Sequence, residues 1–341
     1  MGQSAAAIHN SAKKSYNQQL LTKKIMTLGD RLAIWFIRRV NSNPEKCDRV
    51  VKKMQHHSML ATRFLYHRPK KGFVKTIENL PNCKLEVYKN TQENAAHGSK
   101  KIIYVVHGGG FIMGLINVYR NLVHLYSRAA GGATVALVDY RTAPAHVYPA
   151  AHNDTLDGYK HILDMGYAPR DIILVGESSG GNLILSLLLK LKSLDMELPR
   201  AAVVMSAWTD LTASGKSYRD NYKKDAIFGR KKSEPTDEKL EKLLKSGFFC
   251  YAGDHERTDP FLSPIFGDYS GMPPILMTVG ENEILLDDTL TVAEKIKKAD
   301  GTVEVLIGKN MFHGYPLFYK ISKTAKAAHD RVLEFIGEKS K

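Results

Sequence analysis

The 341-residue chain is long for one small domain but normal for an α/β domain carrying insertions, and its hydrophobic (43%) and charged (25%) fractions are those of a soluble globular protein. No apolar run approaches the roughly 18 residues needed to span a bilayer, and the polar stretch Met1 to Tyr16 lacks the apolar core of a secretory signal. The formal net charge of +14 is uneven: residues 1–100 hold 19 Lys and Arg against 6 Asp and Glu, which leaves the remainder close to neutral.

No zinc pattern or aromatic-interleaved basic strand accompanies the basic excess, so nucleic-acid binding is not expected. The excess reads as a solvated helical surface or as weak contact with an anionic membrane surface. Met1-Gly2 opens like a myristoylation signal, but Ala6 stands where Ser or Thr is required. Cys47, Cys83 and Cys250 are sparse, odd in number and without metal-ligand spacing. They point to reduced thiols and a cytoplasmic setting, peripheral to membrane at most.

Residues 1 to about 80 read as helical, with no strand alternation. Leu28, Leu32, Trp35 and Phe36 share one helical face, which Ile34, Ile37 and Val40 widen. Met54, Met59, Leu60, Phe64 and Leu65 suggest a second. Such faces suit a lid on a catalytic body, with an interfacial membrane helix as the alternative. Strand character begins at Lys84 to Tyr88 and returns at Ile102 to Val106, followed by His107-Gly108-Gly109-Gly110-Phe111. Three consecutive glycines cost conformational entropy and make sense where backbone N–H groups must approach a ligand closely. A helix over about Asn121 to Ala130 leads to the buried strand Thr134 to Val138, and another helix runs to about Asp164. This alternation predicts an α/β domain with a mostly parallel central sheet and helices on both faces.

Ile172 to Val175 is short, apolar and β-branched, as a buried strand should be, while Leu183, Ile184, Leu187 and Leu188 mark a buried helix face. Between them Gly176-Glu177-Ser178-Ser179-Gly180 matches G-x-S-x-G. A strand turning sharply into a helix holds the Ser178 hydroxyl out at the strand's C-terminal end, a nucleophile's position. Ala201 to Met205 is a further strand. From Leu211 to about Gly247 periodicity fails, which reads as an insertion above the sheet with a short helix at Glu238 to Leu244. Strands at Ile275 to Thr278 and Val303 to Ile307, and helices at Leu286 to Ala299 and Phe318 to Ile336, complete the chain.

A serine hydroxyl is a poor nucleophile until a base takes its proton. Of the 13 histidines, His313 follows the final strand and precedes the last helix, at the topologically correct end of the sheet. The acid that orients it belongs in the loop after the preceding strand, Gly280 to Asp288. Glu283 is favoured there. Glu281 lies nearer the strand end, and Asp287 and Asp288 suit a helix start. The backbone N–H groups of Gly108, Gly109 and Ser179 are the expected oxyanion donors. His107 is expected to be a structural hydrogen-bonder of its loop.

These residues together resemble the hormone-sensitive-lipase-like group of α/β-hydrolases, which includes bacterial carboxylesterases and arylacetamide deacetylases. The resemblance covers about residues 84–338. His107 to Phe111 matches the group's oxyanion signature, and Gly176 to Asn182 resembles its elbow G-[DE]-S-A-G-G-N, with Ser179 replacing alanine. Asp139 to Pro144 resembles D-Y-R-L-A-P, followed by Ala145 in place of a usual acid, and Ser206 to Thr212 resembles S-P-W-x-D-L-T. The acid loop resembles E-Y-D-P-L-R-D, which places Glu283 on the catalytic Asp and Ile284 on the proline.

What the resemblance implies is an α/β-hydrolase fold spanning 84–338, with a helical cap built from residues 1–83 and an insertion at about 211–247. It implies a serine carboxylesterase or lipase-like hydrolase that cleaves short- to medium-chain acyl esters through an acyl-enzyme. The triad would be Ser178, His313 and Glu283, with no cofactor and no metal. An amidase, deacetylase or acyltransferase using the same residues is the alternative. A non-catalytic small-molecule receptor, like the plant gibberellin receptors that lost the histidine, is disfavoured because Ser178 and His313 are both present. Oligomeric state is not legible in the sequence.

Overall fold

Short β-branched runs separated by loop-and-helix segments build one eight-stranded sheet in the computed structural model, which describes residues 68–91, 100–229 and 247–341 with positions 236 and 238. The strands are β1 (Phe73–Asn79), β2 (Lys84–Asn90), β3 (Ile102–Val106), β4 (Thr134–Asp139), β5 (Ile172–Glu177), β6 (Ala201–Met205), β7 (Ile275–Gly280) and β8 (Val303–Gly308). Their spatial order is β1-β2-β4-β3-β5-β6-β7-β8. The β1–β2 and β2–β4 pairs are antiparallel, and every later pair is parallel.

The intervening helices are α1 (Asn117–Arg120), α2 (Val123–Ala129), α3 (Ala150–Asp164), α4 (Ser179–Ser193), α5 (Ser217–Asp220), α6 (Leu286–Lys298) and α7 (Lys323–Lys339). Side chains alternate across each strand, so one run feeds two cores. On β3, Ile102, Tyr104 and Val106 join a core with Tyr159 of α3, Ile184 and Leu188 of α4 and Ile296 of α6. Ile103 and Val105 join the opposite core with Tyr126 of α2 and Val332 and Phe335 of α7. β3, β5 and β6 are buried along their whole length. That is why β3, β6 and Ile172 to Val175 of β5 read as unbroken apolar runs. This three-layer arrangement is the α/β-hydrolase architecture. With β3 to β8 parallel, the loops leaving them open at one rim of the sheet, where ligands of such folds bind.

The structure departs from the sequence expectation at two places. Phe73–Asn79 is a strand, although it falls in the segment read as helical. It is an edge strand with Val74 and Ile77 exposed, so its own pattern is weak and the ladder with β2 decides its conformation. The closing helix begins at Lys323 rather than Phe318. Tyr315–Phe318 forms a 3₁₀ turn, and Ser322 then caps α7 by accepting from the Ala325 amide at 3.0 Å. The apolar faces at residues 28–40 and 54–65, and all but the first residue of the expected Glu238 to Leu244 helix, lie outside the described residues. So do most of the basic residues on which a membrane-surface contact would depend. No helix among the described residues is long and apolar enough to cross a membrane.

Candidate active site

β5 ends at Glu177 and α4 begins at Ser179, leaving Ser178 at the corner with φ 56° and ψ −122°. This is strained backbone for a residue with a side chain, and it must be held from outside. A Cβ on Gly176 would lie 2.4 Å from the Gly180 carbonyl oxygen, and one on Gly180 would lie 2.1 Å from the Val106 carbonyl oxygen. Only glycine at both positions lets the helix seat against the ends of β5 and β3. The Ser178 amide donates to Met205 O at 2.8 Å, and its carbonyl accepts from the Trp208 amide at 3.2 Å. Asn182, fully buried in the first turn of α4, donates to Trp208 O at 2.8 Å and Leu262 O at 2.9 Å. The corner is thus clamped by the loop after β6.

Ser178 Oγ lies 2.9 Å from His313 Nε2, and His313 Nδ1 lies 3.0 Å from Glu283 Oε2. All three side chains are buried. Nδ1 donates to the carboxylate, so Nε2 carries the lone pair that faces the serine hydroxyl. Burial alone would push the imidazole's pKa down. The hydrogen bond and charge of Glu283, supported by Glu177 and Asp225, outweigh it and raise His313 to about 9. Glu281, the neighbouring candidate, instead accepts from the Asn310 amide at 3.0 Å. Asp287 and Asp288 stand in the first turn of α6 without capping it. Asp287 accepts from the Ser217 amide at 2.8 Å, and Asp288 accepts from the Thr209 and Asp210 amides at 2.7 and 2.9 Å.

The second oxygen of Glu283 is fixed as firmly as the first. Oε1 accepts from the Gly280 amide and, at 2.8 Å, from Ser206 Oγ. Ser206 Oγ in turn accepts from the Gly314 amide at 3.0 Å, so one hydroxyl joins the acid to the residue after the histidine. Its replacement by alanine leaves a buried N–H and a buried carboxylate oxygen each short of a partner. Ser206→Ala should cost about 1–3 kcal/mol of stability, read by urea denaturation. It should also lower kcat without altering the fold, read by circular dichroism.

Gly108 departs from the sequence expectation. Its amide donates to Tyr119 Oη at 2.8 Å, and that phenol donates to Glu177 Oε2 at 2.7 Å, so this N–H is already engaged. The amides of Gly109, Gly110 and Ser179 have no acceptor among the described residues. His107 is buried and stacked on Tyr140, with ring centroids 4.1 Å apart. Its Nδ1 is 2.8 Å from Gly108 O, and burial lowers its pKa, so it orders the loop as a neutral ring.

Part of the segment read as an insertion packs directly on the acid loop. Asn221 Nδ2 donates to Glu281 O at 3.0 Å and Glu283 O at 2.8 Å. Asp225 accepts from the Ile227, Phe228 and Ile284 amides at 2.8, 2.9 and 2.8 Å. That turn sets the Phe228 ring edge-on to His313, with centroids 4.9 Å apart. Sequence reasoning missed Tyr119, Glu177, Asn221 and Asp225 as site residues. Glu177 and Ser206 lay inside quoted motifs, but Tyr119 carries no signal of its own. No group of three or more His, Cys, Asp or Glu among the described residues is arranged to hold a metal ion.

A family model described as the alpha/beta hydrolase fold, Abhydrolase_3, matches residues 103–317. An esterase of Acinetobacter venetianus is 36% identical over 243 residues, covering 71% of this chain and 76% of that protein. The carboxylesterase/phospholipase LipF of Mycobacterium tuberculosis is 30% identical over 271 residues, covering 80% and 71%. The crystal structure of an esterase from the bacterial hormone-sensitive lipase family is similar with a TM-score of 0.77 and 26% identity, covering 93% of this chain and 100% of that one.

Proposed function

We propose, for a chain that belongs to the hormone-sensitive-lipase-like group of α/β-hydrolases and is a carboxylic ester hydrolase, that ester cleavage runs through an acyl-enzyme on Ser178. The observation that carries this reading is the unbroken hydrogen-bond chain from Ser178 Oγ through His313 to Glu283. As Oγ bonds to the acyl carbon, its proton passes to His313 Nε2 and the carbonyl electrons move onto oxygen. The amides of Gly109, Gly110 and Ser179 receive that oxyanion, while Gly108, tied to Tyr119, orders the loop. The C–O bond to the alcohol then breaks, and the alcohol leaves with the proton from Nε2. Water repeats the sequence and frees the acid.

Small-molecule esters are the substrates, as the named activities of the relatives imply. Short- to medium-chain acyl groups are the proposed range, supported by aromatic walls beside the site. Phe228 stands against His313, and Trp208, hydrogen-bonded to the Ser178 carbonyl, packs on Phe249. A cytoplasmic setting fits the three sparse, odd-numbered cysteines of the sequence.

A fluorophosphonate probe should form one adduct, located by peptide mass spectrometry on Ser178. A panel of p-nitrophenyl esters should then peak at short to medium acyl length, with matched amides slower and added alcohols not acylated. No adduct, or one elsewhere, overturns the mechanism. Faster amide cleavage or dominant transfer to alcohol overturns the ester reading in favour of an amidase or an acyltransferase.

A further inference from the structure

Immediately before the nucleophile stands a buried carboxylate for which the Ser178–His313–Glu283 chain has no use. Glu177 Oε1 lies 3.5 Å from His313 Nε2, the nitrogen that faces Ser178. Its other oxygen accepts from Tyr119 Oη at 2.7 Å, and that phenol accepts from the Gly108 amide at 2.8 Å. The residue after the histidine is shaped around it. A Cβ on Gly314 would lie 2.7 Å from Glu177 Oε1, and Gly314 has φ 66°.

We propose that Glu177 is a positioning residue for the ester cleavage described above, a second carboxylate that steadies His313 from its Nε2 side when that nitrogen carries the proton and couples it through Tyr119 to the glycine loop. The inference rests on the acyl-enzyme reading. In the reactive form of the site, with His313 deprotonated, a neutral imidazole turns its Nε2 lone pair outward and takes the hydrogen bond of Ser178 at 2.9 Å, so Glu177 gains nothing from that form. Once the serine proton has moved to Nε2, the same carboxylate faces an N–H on a cation. An interaction made only in the charged state lowers the barrier rather than deepening the resting state. The proton stays on Nε2 until the alcohol takes it, and none passes to Glu177.

The surrounding charges support this sign. Around His313 stand Glu283 and Asp225 as well as Glu177. Around Glu177 stand Tyr119, His313 and Glu283, with Tyr126 and Tyr140 also feeling its charge. Burial and the charge of Glu283 raise the Glu177 carboxyl above its usual range, and the charge of His313 and the Tyr119 hydrogen bond act against that rise, favouring the carboxylate when His313 is charged.

Glu177→Gln keeps the shape and removes the charge. An opposite charge within about 4–6 Å moves a pKa by about 1–3 units. The acid limb of kcat/KM for p-nitrophenyl butyrate should therefore move down by about one pH unit or more. At the plateau kcat should fall about 10-fold, since one pKa unit corresponds to a tenfold change in the balance between charged and neutral imidazole. KM should stay unchanged, and the fluorophosphonate adduct on Ser178 should persist. Tyr119→Phe removes a donor that favours the charged carboxylate, so it should move the limb in the same direction by a smaller amount. It decides the question if Glu177→Gln does not fold. If the parent enzyme labels at Ser178 and neither folded variant shifts the limb, Glu177 has no such role although the acyl-enzyme stands. If the parent does not label, both ideas fall.

Discussion

Ser178→Ala should reduce p-nitrophenyl butyrate hydrolysis by about 10⁴-fold or more while the protein remains folded. The substitution removes one oxygen and keeps the Cβ, so the strained corner and its clamps from Met205, Trp208 and Asn182 survive. Loss of Oγ removes the atom that, among the described residues, His313 Nε2 is hydrogen-bonded to, and with it the covalent route. Residual turnover would come from water attacking an ester held by the loop amides. A steady-state assay with a matched circular dichroism spectrum decides the matter. Parental turnover in a folded variant would place the nucleophile elsewhere.

Glu283→Gln should lower kcat about 10³–10⁴-fold, with an effect on pH dependence that follows from which oxygen is already engaged. Oε1 is claimed by two donors, the Gly280 amide and the Ser206 hydroxyl. A glutamine must keep its oxygen there, which turns its NH₂ group towards His313 Nδ1. The imidazole then accepts at Nδ1 and carries its proton on Nε2, the tautomer that cannot take a proton from Ser178. The carboxylate also raises the His313 pKa, to about 9 with its neighbours, by favouring the charged ring. Removing that charge lowers the pKa, so the acid limb of kcat/KM should move to lower pH as the plateau falls. An unmoved limb would mean that a group other than His313 titrates.

The elbow was legible because strand, turn and helix are contiguous, and each glycine of G-x-S-x-G answers to a contact within the corner or with the end of β3. His313 and Glu283 were found by order along the chain, since parallel strands bring successive loops to one rim. What could not be read was how the hydrogen bonds are shared out. Nothing in the three glycines says that the first amide is spent on Tyr119, which sits in a four-residue helix without a pattern. The Ser206 hydroxyl heads a recognisable motif, yet its partner is 77 residues away. β1 escaped notice because an edge strand is decided by its neighbour's ladder and not by its own alternation.

The turn that presents Phe228 is fastened through Asp225 and Asn221 to the same backbone that carries Glu283. Anyone reshaping this enzyme for a bulkier acid or alcohol would begin with that aromatic wall. Substitutions there cannot act on selectivity alone, because the scaffold they loosen also aims the carboxylate. Libraries built over residues 217–228 should therefore trade speed against scope. The gains will come from changing ring size at Phe228 while leaving Asn221 and Asp225 in place.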